Sequence, residues 1–279
     1  MMKETRAEHL AVEKLRPFDG HPFKVVDNEE MDQLTWSILT QGLLTPLVVR
    51  PLDNGEYEVI SGHRRLHACK KAGIETVPAL IYAIDRDAAA IALVDSNLQR
   101  EHILPSEKAF AYKLKLEAMN HQGRTSGQVG QKWTRDEISE GESGRQVHRY
   151  IRLTNLIPGV LQKVDEGRIA LTPAVELSYL TDAEQEDLLE TMESEDCTPS
   201  LSQAIQMKAL SQSGQLDMDT IFHIMTQPKA NQQEKISFKV SELRDFFPRH
   251  YTAAQMMQEI KVALKERQQR LARQRDHSR

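Results

Sequence analysis

Positive charge is concentrated at one corner of the sequence, where a glycine separates an apolar run from a run of charged residues. In VISGHRRLHACKKAG, residues 59–73, Arg64 and Arg65 follow Gly62 closely. Glycine lets a backbone approach a ligand, and a helix beginning there presents free N–H groups and the positive end of its dipole. A phosphate-bearing ligand is the natural partner of such a corner. The alternative interpretation is a solvated basic surface.

A second polar segment, DSNLQRE at residues 95–101, ends an apolar helical pattern. The side-chain carbonyl oxygens of Asn97 and Gln99 can coordinate a cation, and Arg100 can hold a phosphate. Magnesium usually keeps several waters and takes few protein oxygens beside phosphate oxygens, so Asn97 alone could be the direct ligand. The alternative interpretation is a polar helix end.

Two short helical patterns around a glycine-containing turn, at residues 134–154, have the lengths of a helix-turn-helix. The expected inner face consists of Ile138, Val147, Tyr150 and Ile151. The candidate DNA-binding residues are Ser143, Arg145, Gln146, His148, Arg149 and Arg152. Most of these side chains carry donors that can reach base edges or phosphates. A helical hairpin with a solvated basic face remains the alternative.

The elements that must position these residues fall into differently patterned regions. Helix and strand patterns alternate over the first hundred residues, and helices prevail from Ser106 onward. The predicted strands are PLVVRPL, YEVIS and TVPALIYAI, and the first predicted helix, EEMDQLTWSILTQG, is expected to use Met31, Leu34, Ile38 and Leu39 as its apolar face. The polar, glycine-rich residues 120–133 are expected to form a flexible connector.

The pattern as a whole predicts an α+β fold. We expect a small α/β N-terminal domain at residues 1–104, a mainly helical helix-turn-helix domain at 105–200, and a C-terminal region at 201–279. That last region contains a possible strand, KISFKV, and a helix whose apolar side consists of Met256, Met257, Ile260, Leu264 and Leu271. Dimerisation through this helix and packing on its own strand are the two interpretations of that apolar side.

Composition excludes several classes of protein. A net charge of -5 argues against a protein that coats nucleic acid by bulk charge. However, many of the acids lie in residues 172–207, which contain no lysine or arginine, so the rest of the chain can still form a local basic face. Cys69 and Cys197 lie far apart in the sequence, so they do not have the spacing of metal ligands and could form at most one disulfide. We therefore expect a reducing, cytoplasmic setting. No apolar run approaches the roughly 20 residues of a spanning helix, so we expect no membrane partner. The GxxxxGK[ST], GxGxxG and HExxH templates are absent from the sequence.

In their order and spacing, these segments resemble the ParB family of plasmid and chromosome partition proteins, including its RepB-like members. QGLLTPLVVR (41–50), GHRRLHA (62–68) and SNLQR (96–100) are similar to the family's three nucleotide-site segments. The helix-turn-helix and the residues after it, 155–180, are similar to its DNA-binding region. The resemblance covers about residues 10–180.

The resemblance implies a homodimer that binds double-stranded DNA at a palindromic, centromere-like site and binds CTP with Mg²⁺. It further implies a clamp that closes around DNA and slides, a ParA-type ATPase partner, and a location in the cytoplasm on a nucleoid or plasmid. The implied nucleotide-binding residues are Gln41, Gly42, Leu43, Thr45, Pro46, Gly62, His63, Arg64, Arg65, Asn97, Gln99 and Arg100. Among these, Asn97 is the implied magnesium ligand.

Three positions depart from the family pattern. His63 and His67 replace a glutamate and an arginine of the arginine-rich segment, and Ser96 replaces the glutamate that begins the third segment. That glutamate is linked in the family to CTP turnover, so weak CTP hydrolysis stays an open expectation and no catalytic residue is assigned. Asp95 would point about 100° away from Ser96 on a helix, which makes it an uncertain substitute.

Two other functions are compatible with the same residues. One is a helix-turn-helix transcriptional regulator or nucleoid-associated protein that keeps the DNA-binding module without CTP turnover. The other is an enzyme with a phosphate-transfer or nuclease role. The second is disfavoured because the N-terminal region lacks paired carboxylates with an obvious metal spacing.

Overall fold

The computed structural model describes residues 6–100, 102–125, 142–227, 243, 246–248 and 250–276. The chain divides into two compact units, residues 1–227 and residues 228–279. The division into three domains, with boundaries at 104 and 200, stays a prediction. The α+β class is confirmed, because a five-stranded mixed sheet is followed in sequence by helices.

The sheet of the first unit has five strands. They are β1 (Arg6–Ala11), β2 (Leu15–Pro17), β3 (Leu47–Pro51), β4 (Tyr57–Ser61) and β5 (Thr76–Ile81). Their order is β1-β5-β3-β4-β2; β1/β5 and β3/β4 are antiparallel, and β5/β3 and β4/β2 are parallel. The charged corner after β4 therefore starts from an interior strand. The sequence patterns missed both edge strands, since β1 is largely polar and exposes its first four residues.

Three helices of this region are α1 (Glu29–Gln41), α2 (His63–Lys71) and α3 (Arg86–Leu98). Neighbouring residues of β4 point to opposite faces, as strand geometry requires. Val59 joins the core formed with α1 and α2, whereas Ile60 joins the core that includes α3. On α1, Met31 and Ile38 are buried as predicted, but Leu39 is 57% exposed, so its prediction as part of the inner face was wrong.

Among the described residues from 102 to 227, the helices are α4 (Pro105–Thr125), α5 (Gly144–Arg152), α6 (Pro158–Asp165), α7 (Leu171–Leu177), α8 (Asp182–Ser194), α9 (Leu201–Gln212) and α10 (Met218–Thr226). Their largest common core includes Leu153, Val160, Leu177, Leu188, Met207 and Ile221. Helix α4 continues through Thr125, which corrects the connector prediction for residues 120–125. One glycine inside a helix costs only about 1 kcal/mol, so Gly123 does not end it. Residues 126–133 of that connector lie outside the described residues.

The second unit contains α11 (Ala253–Asp276), where the final helix was predicted. Along it Met256 is buried, whereas Met257 and Leu264 are at least half exposed. The predicted KISFKV strand and the side chain of Leu271 lie outside the described residues. In the part of the chain that the structure describes, no helix is both long and apolar enough to cross a bilayer.

Candidate functional site

The charged corner is built around a glycine that the backbone requires. Gly62 joins β4 to α2 with φ of +103°, a left-handed conformation that L side chains rarely adopt. A Cβ added there would lie 2.6 Å from Leu47 Cδ2 and 3.0 Å from Arg65 Nη2. The N-cap residue of α2 is Gly62, which has no side chain to accept hydrogen bonds from the first backbone N–H groups of the helix. Those N–H groups can therefore donate to a bound anion.

Arg65 joins the first two nucleotide-site segments. Its Nη1 atom donates to the backbone oxygens of Thr45, at 2.6 Å, and Pro46, at 2.9 Å. Burial lowers the pKa of its guanidinium from the ordinary value. Gln41 is the last residue of α1, Gly42 follows it with φ of +74°, and Leu43 packs partly against the core. The end of this segment, Thr45 and Pro46, therefore lies beside the corner, where Arg65 holds it.

Arg64 and Arg100 bring two further positive charges to this region. Arg64 Nη2 donates to Glu30 Oε2 at 3.0 Å. The Arg100 guanidinium lies over the ring of Phe23, 5.4 Å from its centroid. Burial lowers the pKa of Arg100 and the charge of Arg64 lowers it further, whereas Glu107 raises it. The structure thus brings cations of the second and third segments within electrostatic reach of each other, and an anion bound there would relieve their repulsion.

The two histidines of the arginine-rich segment have different surroundings. His63 Nε2 accepts the backbone N–H of Phe18 at 3.2 Å, and its ring stacks on His21 with a centroid distance of 3.7 Å. Burial, with smaller electrostatic contributions, lowers the pKa of His63 to about 3 and that of His21 to about 4. Both rings are therefore neutral at about pH 7. His67 instead contacts Asp27, with Nε2 to Oδ1 at 3.1 Å.

His21 and Phe23 belong to no segment that the sequence patterns singled out. Both lie in DGHPF, residues 19–23, between β2 and α1. Their only sequence signal is a histidine and an aromatic residue interleaved with a glycine and a proline. That combination is typical of an ordinary loop, so the contacts with His63 and Arg100 could be found only in the folded chain.

The third segment, residues 96–100, forms the C-terminal end of α3 and the two residues after it. Asn97 is 6% exposed, and its Nδ2 donates to the Leu93 carbonyl at 2.7 Å, so Oδ1 is the side-chain atom left for a cation. Ser96 Oγ donates to the same carbonyl at 2.9 Å. Gln99 ends the helix and is exposed. The neighbouring Asp95 pairs with Lys115 of α4 through Oδ1.

The candidate DNA-binding helix begins where the sequence predicted. The side chain of Ser143 accepts the N–H of Gln146 as the cap of α5, and Val147 is buried. Arg145 is exposed at the start of the helix. Arg149 Nη1 donates to Gln146 Oε1 at 3.2 Å, and its Nη2 donates to Thr172 Oγ1 at 2.6 Å. The beginnings of α5 and α7 thus form one polar surface, to which Thr172 was not assigned from the sequence.

Two other candidates on α5 are partly buried. His148 is half-buried on the helix. Arg152 Nη2 donates to the Ser178 carbonyl at 2.6 Å, and its guanidinium lies 3.9 Å from the centroid of the Tyr179 ring. In this structure Arg152 therefore fastens α5 to the end of α7. The first predicted helix of the helix-turn-helix, with Ile138, lies outside the described residues.

The chain is similar to several known proteins. The family model for the ParB N-terminal domain matches residues 1–98. The nucleoid occlusion protein of Geobacillus sp. is 27% identical over 259 residues, which cover 88% of this chain and 90% of that protein. A solved structure of C-terminally truncated ParB from Caulobacter crescentus complexed with CTP-gamma-S is 25% identical, with a TM-score of 0.33, and the match covers 68% of this chain and 99% of that one.

The probable chromosome-partitioning protein ParB of Vibrio cholerae is 30% identical over 247 residues. That alignment covers 88% of this chain and 80% of the relative, so it extends well beyond the N-terminal domain. The chain belongs to the ParB family of partition proteins.

Proposed function

We propose that this protein is a dimeric partition protein that binds a centromere-like palindromic DNA site and CTP with Mg²⁺. It would act as a clamp that slides on DNA and works with a ParA-type ATPase, on a chromosome, plasmid or mobile element. The observation that supports this best is the convergence at Gly62. Arg65 contacts Thr45 and Pro46 there, and Arg64 lies within electrostatic reach of Arg100, although the three segments are separate in the chain.

The corner suits a polyphosphate for three reasons. Gly62 permits close approach of the backbone, and the N-terminus of α2 favours negative charge. Arg64 and Arg100 supply full charges, with planar guanidinium groups that match phosphate oxygens. Arg65 already donates to two backbone carbonyls, so its present contribution is to hold segment 41–46 against the corner.

Asn97 fits a magnesium ion that is bound mainly by a nucleotide. Its Nδ2 is fixed by a backbone carbonyl, so Oδ1 is a neutral oxygen ligand on a rigid helix. Among the described residues no group of three or more histidine, cysteine or acidic side chains could hold a metal by itself. The ion would neutralise phosphate charge. Because Ser96 carries no carboxylate and the neighbouring Asp95 pairs with Lys115, we expect CTP hydrolysis to be slow.

Calorimetric titration with CTP and Mg²⁺ tests the nucleotide site. We expect binding by the wild type and a loss of affinity of about tenfold or more in Arg64→Ala and in Arg100→Ala, since each removes a charge from the phosphate corner. Arg16→Ala is the matched control, because Arg16 is an exposed arginine that pairs with Glu56. Failure of the wild type to bind CTP at millimolar concentration would reject the nucleotide half of the proposal.

The DNA-binding surface would be formed by α5 and the start of α7, with Arg145, Gln146 and Arg149 facing the duplex. If Arg149 reads a base, Arg149→Ala should cost about 1–3 kcal/mol on the specific site alone; if it contacts phosphate, affinity should fall for all sequences and the salt slope should decrease by about one. Sequencing of the DNA that co-purifies with the protein would supply an enriched palindromic site. Binding to that site and to random DNA over a range of salt concentrations separates these results. Unchanged affinity would remove Arg149 from the interface.

A second candidate function is a DNA-binding regulator or nucleoid-associated protein without CTP turnover. Ser96, together with the engagement of Asp95 by Lys115, favours it. Retention on closed circular DNA compared with open-ended DNA distinguishes the two functions. A clamp is retained on closed DNA in a CTP-dependent way, whereas the regulator shows the same retention with and without CTP.

A further inference from the structure

The loop between β2 and α1 connects the arginine-rich segment to Arg100 through a continuous series of rings. We propose that His63, His21 and Phe23 form a stacked bridge that positions the Arg100 guanidinium at the phosphate corner. The inference rests on the proposed nucleotide function. It assigns roles to His21 and Phe23, and it gives His63 a function different from that of the glutamate it replaces.

The bridge consists of four side chains joined by three consecutive contacts. His63 is the first residue of α2, and its ring stacks on His21 with an interplanar angle of 34°. His21 meets the ring of Phe23 edge to face, with centroids 5.7 Å apart. Arg100 then lies over Phe23 at 5.4 Å, within the range of a cation–π interaction. The position of Arg100 is thereby linked to the beginning of α2.

Backbone hydrogen bonds hold the loop on both sides of the bridge. On one side, the N–H of Phe18 donates to His63, and the N–H of Asp19 donates to Glu58 Oε1 at 3.1 Å. Glu58 is itself buried. On the other side, the N–H of Lys24 donates to Glu107 Oε1 at 2.8 Å. Because both ends are held, the rings of His21 and Phe23 form a fixed support for Arg100.

The bridge requires neutral histidines. A proton on His63 Nε2 would remove the acceptor for the N–H of Phe18. The charges acting on the pair are those of Arg100 and, for His63, of His21 itself, while Arg64 and Glu107 act on Arg100. With pKa values of about 4 and about 3, both rings stay neutral at about pH 7. The pair therefore acts by stacking, whereas an imidazolium acting as a phosphate ligand would act by charge.

Substitutions at His21 separate stacking from charge. We expect His21→Ala to weaken binding of CTP with Mg²⁺ by about threefold to tenfold, the size of a cation–π contact, because Phe23 loses the ring that supports it beneath Arg100. We expect His21→Phe to retain nearly the wild-type affinity. If His21 acts through Arg100, the double variant with Arg100→Ala should bind no more weakly than Arg100→Ala alone. Urea denaturation of each variant, before titration, establishes that it is folded.

Three results would overturn the bridge while leaving the nucleotide site intact. In the first, His21→Phe binds CTP as weakly as His21→Ala. In the second, the losses of affinity in the double variant are additive. In the third, the affinity of the wild type rises on acidification whereas that of His21→Phe does not change.

NMR titration of the histidines gives a readout without nucleotide. Arg100→Ala should raise the pKa of both His21 and His63, and unchanged pKa values would refute the proximity of Arg100 to the two rings. If the wild type binds neither CTP nor inorganic triphosphate, the proposed function fails, and the positioning role fails with it.

Discussion

At the scale of single residues, the pair His21 and His63 couples stability to pH. Burial lowers the pKa of each ring below its ordinary value of 6.5. The unfolded chain therefore takes up protons first as the pH falls. The contribution of the pair to stability is complete above about pH 6.5 and decreases between that value and the folded-state pKa values.

We accordingly expect acidification from about pH 7 to about pH 5 to destabilise the wild type more than His21→Phe, in which one titrating ring is absent. The measurement is the free energy of unfolding in urea at both pH values. Comparing the two proteins removes the contribution of carboxylates common to both. An equal decrease in both would show that His21 is not protonated preferentially in the unfolded state.

At the scale of secondary-structure elements, helix α2 is flanked by two glycines whose surroundings differ. Gly62 precedes the helix with φ of +103°, and an added Cβ would lie 2.6 Å from Leu47 Cδ2. Gly73 follows the helix with φ of +69°, and an added Cβ would meet nothing within 4 Å. Both positions resist L side chains through their backbone conformation, but only the first also lacks space.

Gly73→Ala should therefore destabilise the protein by about 1–2 kcal/mol through backbone strain alone. Gly62→Ala should cost more, about 2–4 kcal/mol, because it adds steric overlap with Leu47 in the core. Urea denaturation of the two variants measures the difference. Equal losses would mean that Leu47 and Arg65 move aside without cost.

At the scale of the first unit, Asp165 links two helices that are distant in sequence to each other and to the loop before α1. Its Oδ1 accepts the backbone N–H of Ser106 at 2.9 Å, and its Oδ2 accepts the Ser106 hydroxyl at 2.6 Å. Lys24 Nζ lies 3.4 Å from Oδ2. Helix α6 is therefore joined to the start of α4 and to the loop before α1.

Asp165→Ala should destabilise the protein by about 1–3 kcal/mol, because it leaves the buried Ser106 groups without their acceptor. Glu166→Ala is the control, since the neighbouring Glu166 is exposed and its side chain accepts from Gln162 on the same surface; its effect should stay within about 0.5 kcal/mol. Chemical denaturation compares the two variants. If they are equally stable, the Asp165 contacts add nothing to the attachment of α6.

Sequence patterns located most of the helices and strands. They failed where a helix or strand is polar, or where two neighbouring apolar residues compete for one buried position. Leu39 matched helical spacing, yet Ile38 takes the buried position beside it. Polar residues at 120–125 suggested a connector, although a polar surface is compatible with the continued helix α4. Strand β1 has almost no apolar pattern, and it is held by its pairing with β5. Pairing between distant strands is a property of the folded chain that local patterns do not contain.

The sequence by itself determined the charged glycine corner, the two other candidate nucleotide segments, the start of α5 and the alternation of strands and helices, because these depend on residue type and short-range spacing. Only the tertiary structure decided which side chains meet. It paired His21 with His63, placed Arg100 on Phe23 and turned Arg152 toward Ser178. Such contacts depend on how separate elements pack, and packing is set by the whole core together.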